Sequence, residues 1–264
     1  MAENVTGIRI GDLPIALHCT DSGFLTQLRA RYADFLCDPN QAPLTLDIII
    51  KSSDKLKRDA DVNVNHCANG WRIRRGDFLA HWNPATGYGS VVQTANLYSV
   101  DSVLRIIHTL ALAECGGFLL HSASVVHHGR ALLLTGPSGA GKTTITRLAP
   151  SSVIRLSDEI SYVRQSMSNY IAHGTPFSGE LNTPGENTSA PVAGIYFLMH
   201  AGENRIEPIA PPDAVSRLMR NVLFFVKNGD LPGKVFRSAC EFIAAVPAFT
   251  LYFRPEAKIW ELFA

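Results

Sequence analysis

No stretch of 18 uncharged apolar residues runs through this 264-residue chain. The most apolar region, around Leu110 to Val126, is broken by Glu114 and His121. That argues against a membrane-crossing helix. The N-terminal residues Met1-Ala-Glu-Asn-Val5 also lack the basic-then-apolar order of a secretory leader. Cysteine is sparse. Cys19, Cys37, Cys67, Cys115 and Cys240 stand far apart with no C-x-x-C, so reduced thiols in a soluble, cytoplasmic protein are expected rather than a disulfide scaffold. His18-Cys19 and His66-Cys67 lack further partners at ligand spacing, which speaks against a zinc site. Net charge is missing as well: 24 Lys and Arg against 23 Asp and Glu leave +1. There is therefore no electrostatic case for nucleic acid or an acidic membrane surface as partner. Neither an internal repeat nor a convincing linker occurs, and the length suits one large or two small domains with a real core.

What is present is the run Gly136-Pro137-Ser138-Gly139-Ala140-Gly141-Lys142-Thr143, followed by Thr144. It fits the phosphate-loop pattern G-x-x-x-x-G-K-[ST]. Glycines let consecutive backbone N–H groups surround phosphate oxygens without a Cβ in the way. Lys142 supplies a cation for the outer phosphates and Thr143 a hydroxyl for Mg²⁺, while the helix opening there turns its positive end toward the anion. A chain of this length would match by chance about once in a hundred. The apolar run Ala131–Thr135 predicts a strand entering the loop. Ile145, Leu148 and Ala149 predict a short helix leaving it, stopped by Pro150.

Around the loop, Phe118 to Val126 with a turn at His127–Arg130 predicts a hairpin whose second strand delivers the phosphate loop. Asp101 to Glu114 keeps helical spacing, with Asp101 or Ser102 able to cap its start and Gly116-Gly117 to end it. After the loop, Val153 to Val163 carries Asp158-Glu159 at a strand end, where a carboxylate can hold Mg²⁺. Residue numbers 142 and 158 leave only 15 residues between lysine and carboxylate, so the acidic pair comes from the very next strand. His173 to Glu180 leads into a Gly/Pro/Asn/Ser-rich stretch ending near Pro191, expected as a mobile surface loop and candidate lid. Ile195–Met199 and Arg205–Ile209 are expected to pair with each other. Helices over about 212–227 and 233–245, a strand at Phe249–Phe253 and a terminal helix with Trp260 and Phe263 complete the chain.

Residues 1–98 predict a β-rich part with strands at Ile8–Ile10, Leu44–Ile50, Trp71–Ile73, Phe78–Trp82 and Gly89–Val92, a helix from Phe24 to Phe35, and an exposed charged connection from Lys51 to Asp61. No chemical motif falls here. Trp71 and Trp82 read as core residues before groove residues. The remainder, 99–264, is the phosphate-loop domain, and the two parts could also form one continuous domain.

These residues resemble the HPr serine kinase/phosphorylase family and its phosphoenolpyruvate carboxykinase-like fold. The resemblance covers roughly residues 118–164: His121 placed 15 residues before Gly136, the loop GPSGAGKT, then Asp158-Glu159. The His-Gly-Thr-Pro-Phe segment and the terminal Phe-Arg-Pro pattern look more like relatives that modify peptides. The resemblance implies a mixed α/β fold, ATP and Mg²⁺ as nucleotide and metal, and Gly136 to Thr144 around the phosphates. It implies Asp158 beside an acceptor serine as base or orienter, Glu159 as its partner and His121 near the phosphates. The metal would meet Thr143, Asp158 and Glu180. Two departures separate the chain from the classical enzyme: the second, glycine-rich signature is missing, and the N-terminal hundred residues do not match. HPr itself is therefore not the expected acceptor. Three functions stay open: a kinase for a Ser or Thr hydroxyl of a peptide or protein, a nucleotide-binding accessory protein that hydrolyses slowly or not at all, and a small-molecule phosphotransferase. Arg155 and Arg205 are weaker candidates for stabilising the transferring group. Homo-oligomer formation is left open.

Overall fold

A computed structural model describes residues 4–51, 61–226 and 229–263. The expected charged connection from Lys51 to Asp61 lies, except for its ends, outside the described residues. The chain divides into two compact units, Met1–Ala111 with Phe224–Gly229, and Leu112–Leu223 with Asp230–Ala264.

In the first unit, β1 (Val5–Ile10), β2 (Leu13–Cys19), β3 (Leu36–Cys37), β4 (Leu44–Ile50), β5 (Asn63–Cys67), β6 (Gly70–Arg75), β7 (Phe78–Asn83) and β8 (Tyr88–Gln93) form one mixed sheet in the order β3-β1-β2-β4-β8-β7-β6-β5. Alternation puts Ile15, Leu17, Leu46, Ile48, Ile73, Ala80 and Trp82 on the buried face. Trp82 is core, as expected, and Trp71 packs edge-on against His66. Helix α1 (Ser22–Arg31) is capped by Asp21, whose side chain accepts the Phe24 N–H at 2.8 Å. It stops short of the expected Phe35, where a 3-10 turn follows.

Helix α2 spans Leu97–Glu114, starting four residues before Asp101. Asp101 is therefore no cap. Its buried carboxylate accepts from Arg31 Nε at 3.1 Å and Tyr32 Oη at 2.5 Å, and it ion-pairs with the same arginine. Gly116, at φ 69°, ends the helix as predicted.

The second unit holds β9 (Phe118–His127), β10 (Arg130–Thr135), α3 (Lys142–Arg147), β11 (Ile154–Ser157), β12 (Ile160–Ser166), β13 (Asn169–His173), β14 (Ser189–His200), β15 (Arg205–Pro208), α4 (Pro211–Met219), α5 (Leu231–Ala245) and β16 (Ala248–Phe253), with a 3-10 segment at Ala257–Phe263. The hairpin β9–β10 turns through His128 and Gly129, both at positive φ, as a two-residue turn between twisted strands requires. Strand β9 serves three partners: Phe118–His121 pair with β12, Ser124–Val126 with β11, and Ser122–His127 with β10. His121 thus sits where the strand changes partner. Strands β10, β14 and β16 run parallel side by side. Leu133, Ile195 and Phe197 of this parallel group are buried in a cluster with Leu218 of α4 and Phe242 of α5. Leu132, Leu134, Tyr196 and Leu198 join Ile145 of α3 and Trp260 in a second cluster. The architecture is mixed α/β with two mixed sheets.

Three expectations are corrected here. Strand β15 pairs antiparallel with β16, and β16 parallel with β14, so the two strands expected to form a hairpin are separated by a third. Helix α4 ends at Met219 instead of near 227, and residues 227–228 lie outside the described range. The segment after β13 runs over the surface as expected, but it is a strap pinned to β11 and β12 and is not loosely held. Thr175 N–H donates to Leu156 O at 3.0 Å, Glu186 N–H to Arg155 O at 2.8 Å, and Thr175 Oγ1 to Ile160 O at 2.8 Å. Phe177 is fully buried, and a Cβ at Gly185 would stand 1.7 Å from Leu156 O.

Candidate active site

Strand β10 delivers the chain to Gly136, and the loop returns it into α3 at Lys142. Gly139 and Gly141 lie at φ 78° and 95°, backbone that disfavours any side chain. A Cβ on Gly141 would stand 2.3 Å from Phe253 Cζ, so β16 packs directly under the loop. His200, at the end of β14, brings Nε2 to 3.1 Å from Gly139 O. Trp260 Nε1 donates to Ile145 O at 3.2 Å and anchors the short helix. The two braces from β14 and β16 were not foreseen from the sequence.

Lys142 is buried, and its ammonium donates to Gly136 O at 2.9 Å and Pro137 O at 3.2 Å. Burial lowers its pKa below the usual lysine range, while Glu180 and Glu159 pull it back upward. Both glutamates therefore face the ammonium electrostatically.

The acidic pair is presented by a side-chain turn. Ser157 Oγ accepts the N–H groups of Glu159 at 3.2 Å and Ile160 at 2.9 Å, turning β11 into β12 at Asp158-Glu159. Ser122 N–H donates to Glu159 O at 3.0 Å and ties this corner to β9. Asp158 is buried. Its Oδ1 accepts the Gly179 N–H at 3.0 Å and its Oδ2 the Leu181 N–H at 2.9 Å. Both neighbours of Glu180 are thus fastened to one carboxylate, and Glu180 itself is exposed.

These parts line one cleft of about 540 Å³. Its walls are His121, Ser138, Gly139, Gly141, Lys142, Thr143, Thr144, Asp158, Glu159, Gly179 and Glu180. The structure therefore brings together His121, Lys142, Thr143, Asp158, Glu159 and Glu180, the residues expected to act in catalysis or to hold the metal. Gly136, Pro137 and Ala140 of the loop do not line it. The first two give their carbonyls to Lys142, and Ala140 is buried in the core. Neither arginine candidate reaches it. Arg155 donates to Thr183 Oγ1 at 2.6 Å and Pro184 O at 3.0 Å, holding the strap. Arg205 pairs with Glu203 and Glu207 and lies over the Tyr252 ring.

The donors in the cleft suit a hard cation: a Thr143 hydroxyl and the carboxylates of Asp158, Glu159 and Glu180. Among the described residues, no three His, Cys, Asp or Glu side chains converge into a metal cage. Mg²⁺ needs none, because it takes one or two carboxylates and completes its shell with phosphate oxygens and water. Among the described residues no helix is long and apolar enough to cross a membrane.

The family described as SynChlorMet cassette protein ScmC matches residues 90–263, about two thirds of the chain. The chain belongs to the ScmC family. The ScmC match contains the whole cleft, both elements that brace the phosphate loop, and the terminal segment carrying Trp260. It leaves β1 to β7 outside. No curated protein matches. Among solved structures, the Hpr(Ser) kinase/phosphatase from Coxiella burnetii is similar at 12% identity and a TM-score of 0.28, over 51% of this chain and 84% of that chain. A superposition that loose assigns neither fold nor activity to this ScmC-family chain.

Proposed function

We propose that this chain is an ATP- and Mg²⁺-dependent phosphotransferase with an HPr-kinase-like site, acting on a Ser or Thr hydroxyl of a peptide or protein. One observation carries the reading. A phosphate loop with its Lys142 and Thr143 shares a single cleft with His121, Asp158, Glu159 and Glu180. A cation and carboxylates in one cleft suit in-line phosphoryl transfer, since the chemistry is mostly positioning and charge neutralisation.

In this reading the loop amides and Lys142 take the phosphate oxygens, with Lys142 exchanging the carbonyls of Gly136 and Pro137 for them. Thr143 and the cleft carboxylates would hold Mg²⁺, which supplies charge neutralisation and alignment of the phosphates when bound. The acceptor hydroxyl oxygen forms a bond to the γ-phosphorus as the bond to the β,γ-bridging oxygen breaks. ADP leaves with that electron pair, and the hydroxyl proton passes to a carboxylate oxygen of the cleft. His121, on the switching strand, lines the same cleft, which supports a place for it beside the phosphates.

The test is incubation with γ-labelled ATP, Mg²⁺ and peptides encoded beside this gene, comparing wild type with Lys142→Ala. The expected result is label on a hydroxyl residue of a peptide, absent in the variant. Nucleotide bound without label on any acceptor would contradict the reading.

A further inference from the structure

The resemblance gives Asp158 a direct part in the reaction, yet its contacts point elsewhere. Each carboxylate oxygen receives one backbone N–H from the strap, Gly179 at Oδ1 and Leu181 at Oδ2. The residue between them is Glu180, exposed at the tip of a turn that Asn182 N–H closes onto Gly179 O at 3.1 Å. The strap is held independently on both sides of this tip, by Thr175 on Leu156 and by Glu186 on Arg155. The approach at the tip is close. A Cβ on Gly179 would lie 3.0 Å from Glu159 Cβ and 3.3 Å from Asp158 Oδ2, so any larger residue would press the turn and the acidic pair apart by a few tenths of an ångström. Both residues line the cleft, Asp158 buried and Glu180 exposed.

We propose that Asp158 is a positioning residue, which clamps the 179–181 turn, and that Glu180 is the carboxylate this clamp presents to the metal-bound phosphates. The inference rests on the nucleotide-binding part of the proposed function. Asp158 then acts through Glu180, and the two side chains form one functional unit. Removing either one disables the same step, and removing both adds nothing. A carboxylate acting directly would behave differently, because its loss would multiply with that of Glu180.

Two readouts on the full chain decide the matter. The first is amide hydrogen exchange at Gly179 and Leu181 without nucleotide. Asp158→Asn turns one acceptor into an amide that faces an N–H, so at least one of the two amides should exchange faster, whereas Glu180→Gln should leave both protected. The second is the Mg²⁺ concentration that half-saturates binding of a fluorescent ATP analogue. Loss of a supporting partner commonly weakens metal binding about tenfold or more. Asp158→Asn and Glu180→Gln should each raise the requirement by about that factor, with the double variant no worse than either. Gly179→Ala, which displaces the turn while keeping both carboxylates, should raise it too and covers the case of an unstable Asp158→Asn. Multiplying effects, or a raised Mg²⁺ requirement in Asp158→Asn with amides still protected, would overturn the clamp. A wild-type chain that binds no nucleotide would overturn the functional reading and the role of Glu180. The exchange data alone would then judge the clamp.

Discussion

Asp158 and Leu181 are joined by a 2.9 Å hydrogen bond from the Leu181 N–H to Oδ2, across 23 residues of chain. With its counterpart from Gly179, it makes the corner between β11 and β12 the seat of the strap. The carboxylates that could handle metal or acceptor, the acidic pair and Glu180, are thus held by one another through the backbone. Rigidity of this kind is what positions groups for transfer, because small displacements of a reacting group cost large factors in rate.

Gly141→Ala tests the packing under the phosphate loop. The added methyl falls 2.3 Å from Phe253 Cζ at a backbone φ of 95°. Strain and overpacking together should cost roughly 2 to 4 kcal/mol of stability and abolish nucleotide binding. Calorimetric unfolding and nucleotide titration check this. Near wild-type values in both would mean that the loop does not hold this conformation.

Asp101→Asn tests a buried ion pair in the first unit. The substitution removes the charge that Arg31 and Tyr32 share, leaving a guanidinium without its counter-charge. Arg31 is partly exposed, so the loss should be about 2 kcal/mol rather than the 3–5 kcal/mol of a fully buried pair. Denaturant unfolding is the measurement, and a change below about 0.5 kcal/mol would contradict the role.

Stability should fall in mild acid through two histidines. Burial pushes His108 down to about 3, and burial with a nearby Arg164 pushes His173 down to about 4. An unfolded histidine takes its proton near pH 6.5. Between pH 6.5 and those values the unfolded chain binds more protons than the native one, so stability is full above pH 6.5 and is lost as pH falls toward 4 and 3. For fully buried His108 this is on the order of 1 to 2 kcal/mol between pH 6.5 and 5. Thermal midpoints across that range should show a shallower slope in His173→Gln than in wild type. An unchanged slope would show that His173 protonates as readily in the native state.

Local signals were legible in the sequence and long-range pairings were not. The strand Leu44–Ile50, the hairpin turn at His128-Gly129 and the passage from β10 through the loop into α3 follow from side-chain alternation and glycine chemistry. The cleft residues were also legible, because the motif and the acidic pair sit close together in sequence. The β14–β16 pairing was not, since nothing within β14 marks a partner about 50 residues away as better than its neighbour β15. Asp101 looked like a cap because its partners, Arg31 and Tyr32, are some 70 residues distant. The strap looked loose because its glycines and prolines read as a loop. Its order comes from backbone bonds to β11 and from Arg155, which composition does not encode. His200 and Phe253 brace the phosphate loop from distant strands and carried no signal of their own.

The central claim is that this cleft binds nucleotide phosphates through Lys142, and calorimetric titration of Mg·ATP into wild type and Lys142→Ala tests it most directly. The ammonium faces the loop carbonyls and the cleft, so the variant should keep its far-ultraviolet circular dichroism spectrum. Its affinity should fall about 10- to 100-fold, the loss of one charge-assisted contact of roughly 1.5–3 kcal/mol. Equal affinity in the two proteins, or no binding by the wild type, would contradict the account.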